Sequence, residues 1–163
     1  MTDTCTLTLE ILAYPPHYWS FSDVSDLQGC VFEESEFSLD TWVIQDCPLQ
    51  VRDSTRGYLQ SKQVPFVMMN TFNWDIDPEI MYYLPEFEHP CWYAPMDAYA
   101  QQVLIPSHRV SSWTDKSSEW VDVAIGKFHA KAAATMRLQL ALDQKKSRVR
   151  LDMAAEEADG TAT

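Results

Sequence analysis

Between Ser117 and Val149 the apolar residues recur with the period of a helix. Wound at about 100° per residue, Trp120, Val121, Ala124, Ile125, Phe128, Ala132, Met136, Leu138 and Leu142 share one side. Lys116, Lys127, Lys131 and Lys145 run along one edge of that side. The pattern predicts one long amphipathic helix with a buried face and a basic flank. Thr114, Asp115 and Ser117 are candidate N-caps, because their side-chain oxygens can accept from the first free amides. Lys145, Lys146, Arg148 and Arg150 suit the negative end of the helix dipole. His129 falls opposite the apolar stripe and is expected at the surface.

Before this helix the period shortens to two. Leu7, Leu9 and Ile11 alternate with Thr6, Thr8 and Glu10, as in a half-buried strand that Tyr14-Pro15-Pro16 ends. Residues 17–28 have the composition of a loop. Gly29 to Phe32 and Thr41 to Gln45 are β-prone, and Leu49 to Arg52 pairs as a strand across Asp46-Cys47-Pro48. Asp53 to Gly57 then forms a turn. Val64 to Phe72 is another strand, with Pro65 placing its start on an edge or outside the sheet. Five prolines divide Asp75 to Pro106 into short pieces. Asp77-Pro78-Glu79 has the form of a helix start. Pro95 to Leu104 is a short helix, and Glu86 to Tyr93 is irregular. The expected fold is α+β, with four to six mostly antiparallel strands from the N-terminal half packed against the C-terminal helix. Residues 1–151 form a single domain, and 152–163 are expected to be a disordered acidic tail.

Charge adds a second layer. The net charge is −12, and no lysine or arginine precedes Arg52. Asp3, Glu10, Asp23, Asp26, Glu33, Glu34, Glu36, Asp40 and Asp46 all lie in that span, whereas Lys116 to Arg150 holds eight basic residues. Such asymmetry bears on association rather than on fold. A strongly acidic chain repels nucleic acid, so direct binding to it is not expected. Acidic side chains on an aromatic scaffold can instead imitate a phosphate backbone. No apolar run approaches the roughly 18 residues that would span a membrane. The start Met1-Thr2-Asp3-Thr4 lacks the features of a signal peptide. Cys5, Cys30, Cys47 and Cys91 contain no CxxC pair. They are expected to be reduced thiols in a cytoplasmic protein.

Motifs for chemistry are sparse. The four glycines are dispersed, which excludes phosphate-binding and dinucleotide-binding loops. There is neither a GxSxG elbow nor an HExxH helix. Glu86-Phe87-Glu88-His89-Pro90-Cys91 sets carboxylates, an imidazole and a thiol within six positions. Glu88, His89 and Cys91 are therefore the alternative catalytic set, or ligands of the kind zinc accepts. Asp75, Asp77 and Glu79 lack the EF-hand pattern. No metal site or cofactor is expected.

The function that follows is a non-enzymatic interaction protein, an acidic inhibitor or immunity-type module that meets a basic protein partner. Glu33, Glu34, Glu36 and Asp40, with the aromatics Phe87, Trp92 and Tyr93, are the candidate partner-binding residues. Two alternatives are an assembly subunit of a larger complex, such as a viral or phage particle, and a small Cys/His enzyme or metalloprotein.

Overall fold

The computed structural model describes residues 4–13, 32–34, 41–71, 77–97 and 102–160, with backbone only for 32–34 and 147–160. The fold is α+β. Its strands are β1 (Thr4–Ile11), β2 (Phe32–Glu34), β3 (Thr41–Pro48), β4 (Phe66–Thr71), β5 (Glu79–Tyr83), β6 (Cys91–Asp97) and β7 (Gln102–Val103). They form one sheet in the order β2-β3-β1-β4-β5-β6-β7, with each neighbouring pair antiparallel. The helices are α1 (Leu49–Ser61), α2 (Ser107–Ser111), α3 (Ser118–Ala124) and α4 (Lys127–Gly160).

The two large helices cover opposite faces and are offset from each other. Under α1, β1 contributes Cys5, Leu7, Leu9 and Ile11, and Phe66, Met68 and Tyr83 follow from β4 and β5; Leu59 of α1 closes this core. Under α4, Val67, Ile80, Tyr82, Leu84 and Met96 gather around Ala133. Alternation decides which side chain goes where. On β1 only the α1 face is buried, so Thr6, Thr8 and Glu10 stay polar on the other. On β6 the order is reversed: Ala94 and Met96 are buried, and Cys91, Tyr93 and Pro95 are exposed. Only β4, at the centre, has buried side chains on both faces along most of its length. Arg137 of α4 reaches the polar face of β1 and grips Glu10 with two hydrogen bonds, one of 2.6 Å. That contact raises the Arg137 pKa against the opposing effect of burial.

A bulge shapes β3. Thr4 and Cys5 pair with Pro48 and Cys47, but Leu7 pairs with Ile44. One extra β3 residue is thus accommodated around Asp46, which takes a left-handed φ of 49°. The bulge breaks strict alternation, so Ile44 and Cys47, three apart, both enter the α1 core.

Several expectations are corrected. Leu49 to Gly57 is helical rather than strand and turn. Val51, Thr55, Tyr58 and Leu59 form a stripe that packs on the sheet, and this burial outweighs the low helix propensity of Thr55 and Gly57. Thr55 returns its hydroxyl to the Val51 carbonyl at 2.7 Å. Asp77-Pro78 leads into β5 instead of starting a helix; the Asp77 carbonyl accepts from the Asn70 amide. Pro95 belongs to β6, and Gln102–Val103 is β7. The expectation for Pro65 holds: it lies outside the sheet, just before β4. The α4 backbone is helical to Gly160.

The expected long helix is interrupted. Its first part, α3, is capped by Ser117, which accepts from the Trp120 amide at 3.2 Å. It stops at Ile125-Gly126, where Gly126 has φ 71°. The interruption resets the helical phase. His129 is therefore buried, at 6% exposure, and Phe128, Leu138 and Leu142 are exposed. His129 Nε2 lies 2.9 Å from the His89 carbonyl oxygen. A carbonyl only accepts, so the proton sits on Nε2. Phe87 packs on the ring at a tilt of 53°, with the centroids 4.9 Å apart.

A Cβ on Gly126 would lie 2.4 Å from the Trp92 ring, whereas one on Gly57 meets nothing within 4 Å. Gly126→Ala is expected to cost about 2–4 kcal/mol, from the left-handed backbone and overpacking together. Gly57→Ala is expected to gain about 1 kcal/mol through helix propensity. Urea unfolding of both variants checks the contrast.

Candidate functional site

Because α1 does not extend over β6, a groove of about 440 Å³ opens between the helix and the β4–β5–β6 face. The strand register builds its floor and rim in rows. Met68 stands opposite Met81, and Met81 opposite Tyr93. Tyr83 stands opposite Cys91, and Asn70 opposite Glu79. The helical wall is Arg52, Arg56 and Gln60, spaced four apart on one face of α1. None of these helical residues was singled out from sequence. The i, i+4, i+8 spacing was the available signal, and reading Asp53 to Gly57 as a turn concealed it.

The charges in the groove are already engaged. Arg52 lies 3.1 Å from an Asp53 carboxylate oxygen and 3.8 Å from Glu79, and Arg56 lies 3.4 Å from Asp53. The Cys91 thiol is exposed and accepts from the Gln60 amide at 3.2 Å. Tyr83 accepts from Gln63 at 3.0 Å and donates to the Gln60 carbonyl at 3.3 Å. Burial, and secondarily Cys91, push the Tyr83 hydroxyl pKa up, against the Gln63 hydrogen bond that lowers it. The resulting surface has a polarisable methionine floor, one exposed thiol, an exposed phenol and paired guanidinium groups. Among the described residues no imidazole is hydrogen-bonded to the thiol.

The structure disperses the sequence-derived site residues. Glu88 and His89 are exposed in the loop between β5 and β6, and Cys91 opens β6 on the groove side. His89 meets His129 only through its backbone carbonyl. Phe87 and Trp92 turn to the α4 face and pack on its core. The Trp92 indole donates to the Ala124 carbonyl at 3.3 Å. Tyr93, at 72% exposure, is the one member of the aromatic trio left on the surface. Glu33 and Glu34 lie on β2, an edge strand. Glu36 and Asp40 fall outside the described residues, as do Asp75 and Cys30. Among the described residues no group of three His, Cys, Asp or Glu side chains is arranged to hold a metal ion. Nor is any helix among them long and apolar enough to cross a membrane.

A second surface escaped the sequence reading. Helices α2 and α3 contain no buried residue. Around them Leu104, Ile105, Val110, Trp120 and Val123 are exposed. Trp113 and Trp120 meet edge to face at 5.7 Å, and the Lys116 ammonium lies 5.5 Å over the Trp120 ring.

No family model, no curated protein and no solved structure matches this chain.

Burial also pushes the Tyr82 hydroxyl pKa above the ordinary 10.0, with Glu10 adding to the shift and Arg137 opposing it. Both Tyr82 and Tyr83 therefore ionise later in the folded chain than in the unfolded one. The unfolded state loses protons first, so stability is expected to fall as pH rises through and beyond 10. Denaturant unfolding between neutral pH and pH 11 measures the decline. Tyr82→Phe is expected to flatten it.

Proposed function

We propose that the protein is a non-enzymatic interaction module that binds a basic protein partner, in the manner of an inhibitor or immunity-type protein. One observation supports this reading: Glu33 and Glu34 lie on β2, the edge strand of the sheet, within a stretch of sequence rich in acidic residues. Strands β1, β2 and β3 all come from the span before Arg52, which contains nine acidic residues and no lysine or arginine. They lie side by side, with β2 and its Glu33-Glu34 at the edge. Glu10 is paired with Arg137, while Arg52 and Arg56 are occupied by Asp53 and Glu79. Of the basic side chains described on α4, Lys127 is paired with Asp122 and Lys146 with Asp143. On this reading a cationic partner meets the acidic β2 edge. The acidic edge also discourages edge-to-edge pairing with further sheets, so its partner is selected by charge rather than by strand addition.

Such a contact is screened by salt, with a Debye length of about 10 Å at 0.1 M falling to about 3 Å at 1 M. The partner is expected to be a basic protein retained at low salt, released by a salt step, and lost on Glu33→Lys/Glu34→Lys with the fold intact by circular dichroism. Retention that ignores both salt and charge reversal would remove this reading.

The assembly-subunit reading is favoured by a different observation, the apolar surface of α2 and α3. Short helices that bury nothing are marginal alone, and exposed apolar patches mark contact sites. On that reading the chain self-associates as its concentration rises, and Trp120→Ser/Val123→Ser holds it monomeric in sedimentation velocity. A wild-type chain that stays monomeric throughout would argue against self-assembly.

A further inference from the structure

The bulge in β3 brings two cysteines together. Cys5 and Cys47 are direct cross-strand partners on β1 and β3. Both point into the α1 core, at 2% and 0% exposure. Directly opposed residues in an antiparallel pair have Cα atoms about 4.5–5.5 Å apart, within the range of about 4.4–6.8 Å that a disulfide spans. The two thiols already share a hydrogen bond, which is the largest influence holding Cys5 below its ordinary pKa; Arg52 acts in the same direction, against burial and Asp53. The Cys47 sulfur also lies 3.6 Å from the Pro48 carbonyl. Cys47 stands two residues before Leu49, the first residue of α1, so the pair sits beside a helix N-terminus, where thiolates are favoured.

We propose that Cys5 and Cys47 are a redox-active thiol pair that closes into a cross-strand disulfide by exchange with a small disulfide such as oxidised glutathione. The Cys5 thiolate attacks one sulfur of the small disulfide, whose S–S bond breaks and releases one small thiolate. Cys47 then loses its proton to solvent and attacks the Cys5 sulfur. The mixed disulfide breaks and the second small thiolate leaves. In balance, the two protein thiols give up two protons and two electrons, and one small disulfide becomes two thiols. Access comes through the outer end of β1, where Cys5 is the second residue of the strand and terminal fraying opens the pair transiently. The product fastens β3 to β1 at the point where β3 passes into α1, without altering the sheet register.

The test uses the full chain with Cys30→Ser and Cys91→Ser, so that Cys5 and Cys47 are its only thiols. Equilibrated with excess oxidised glutathione under native conditions, it is expected to lose both free thiols. Its intact mass should fall by two hydrogens, and its Tm should rise by about 10 °C, as closing a loop of this length implies. Reduction should reverse all three changes. The proposal is overturned if both thiols persist, if glutathione remains attached as a mixed disulfide, or if the bond forms only in denaturant. Should the doubly substituted chain fail to fold, the wild-type chain decides the matter. Cleavage before each aspartate puts Cys5, Cys30 and Cys47 on separate peptides. A Cys5–Cys47 linked pair supports the proposal, and any other linkage overturns it.

Discussion

The Trp92 indole lies so close to the backbone of Gly126 that only glycine fits there, and the second core is arranged around that approach. The ring takes the space a side chain would need and hydrogen-bonds the Ala124 carbonyl, one of the groups that a helix end leaves without an internal partner. The chain therefore leaves the helix at Ile125, turns through a left-handed residue and resumes as α4 in a new phase. Ala133 then faces the sheet, and His129 is buried against the loop between β5 and β6. Arg137 is carried to Glu10 on β1, so one end of the sheet is tied to the helix that covers the other. A straight helix through this point would have turned Phe128 inward and His129 out.

That constraint also explains where sequence reasoning succeeds and where it stops. The alternation of Leu7, Leu9 and Ile11 is local, and β1 appears where it is expected. Ser117 as a cap is equally local. The α+β class and the antiparallel sheet were legible because their periods are. The helical wheel fails at Gly126, because the cause is a ring thirty-four residues earlier in the chain. Helix α1 was missed for a related reason. Its weak helix formers are held by packing on a sheet that no local window can see. The candidate site fared similarly. Cys91 and Tyr93 line the groove, Phe87 and Trp92 are half-buried against the α4 core, and Arg52, Arg56 and Gln60 become neighbours only once α1 exists.

The offset of the two helices divides the labour of the sheet. Where α1 covers one face, the opposite face of β1 stays polar; where α4 covers the other, the α1 side of β6 opens into a groove. Among the described residues the surface has a methionine-floored groove and, apart from it, an apolar ridge on α2 and α3. The thiol pair lies beneath the joint where β3 becomes α1, apart from the ridge and the opposite core.

The sheet order also has a consequence in time. Strand β1 is first in the chain yet lies in the middle of the sheet, with Glu10 paired to Thr41 on one side and Val67 on the other. Its apolar residues leave the ribosome well before either neighbour does. Strands β4, β5 and β6 follow one another as a meander and need only short loops to close. The entropy of loop closure favours that meander as the first structure to assemble. On that order β1 docks after the meander that supplies its β4 partner, although it is the first strand in the sequence.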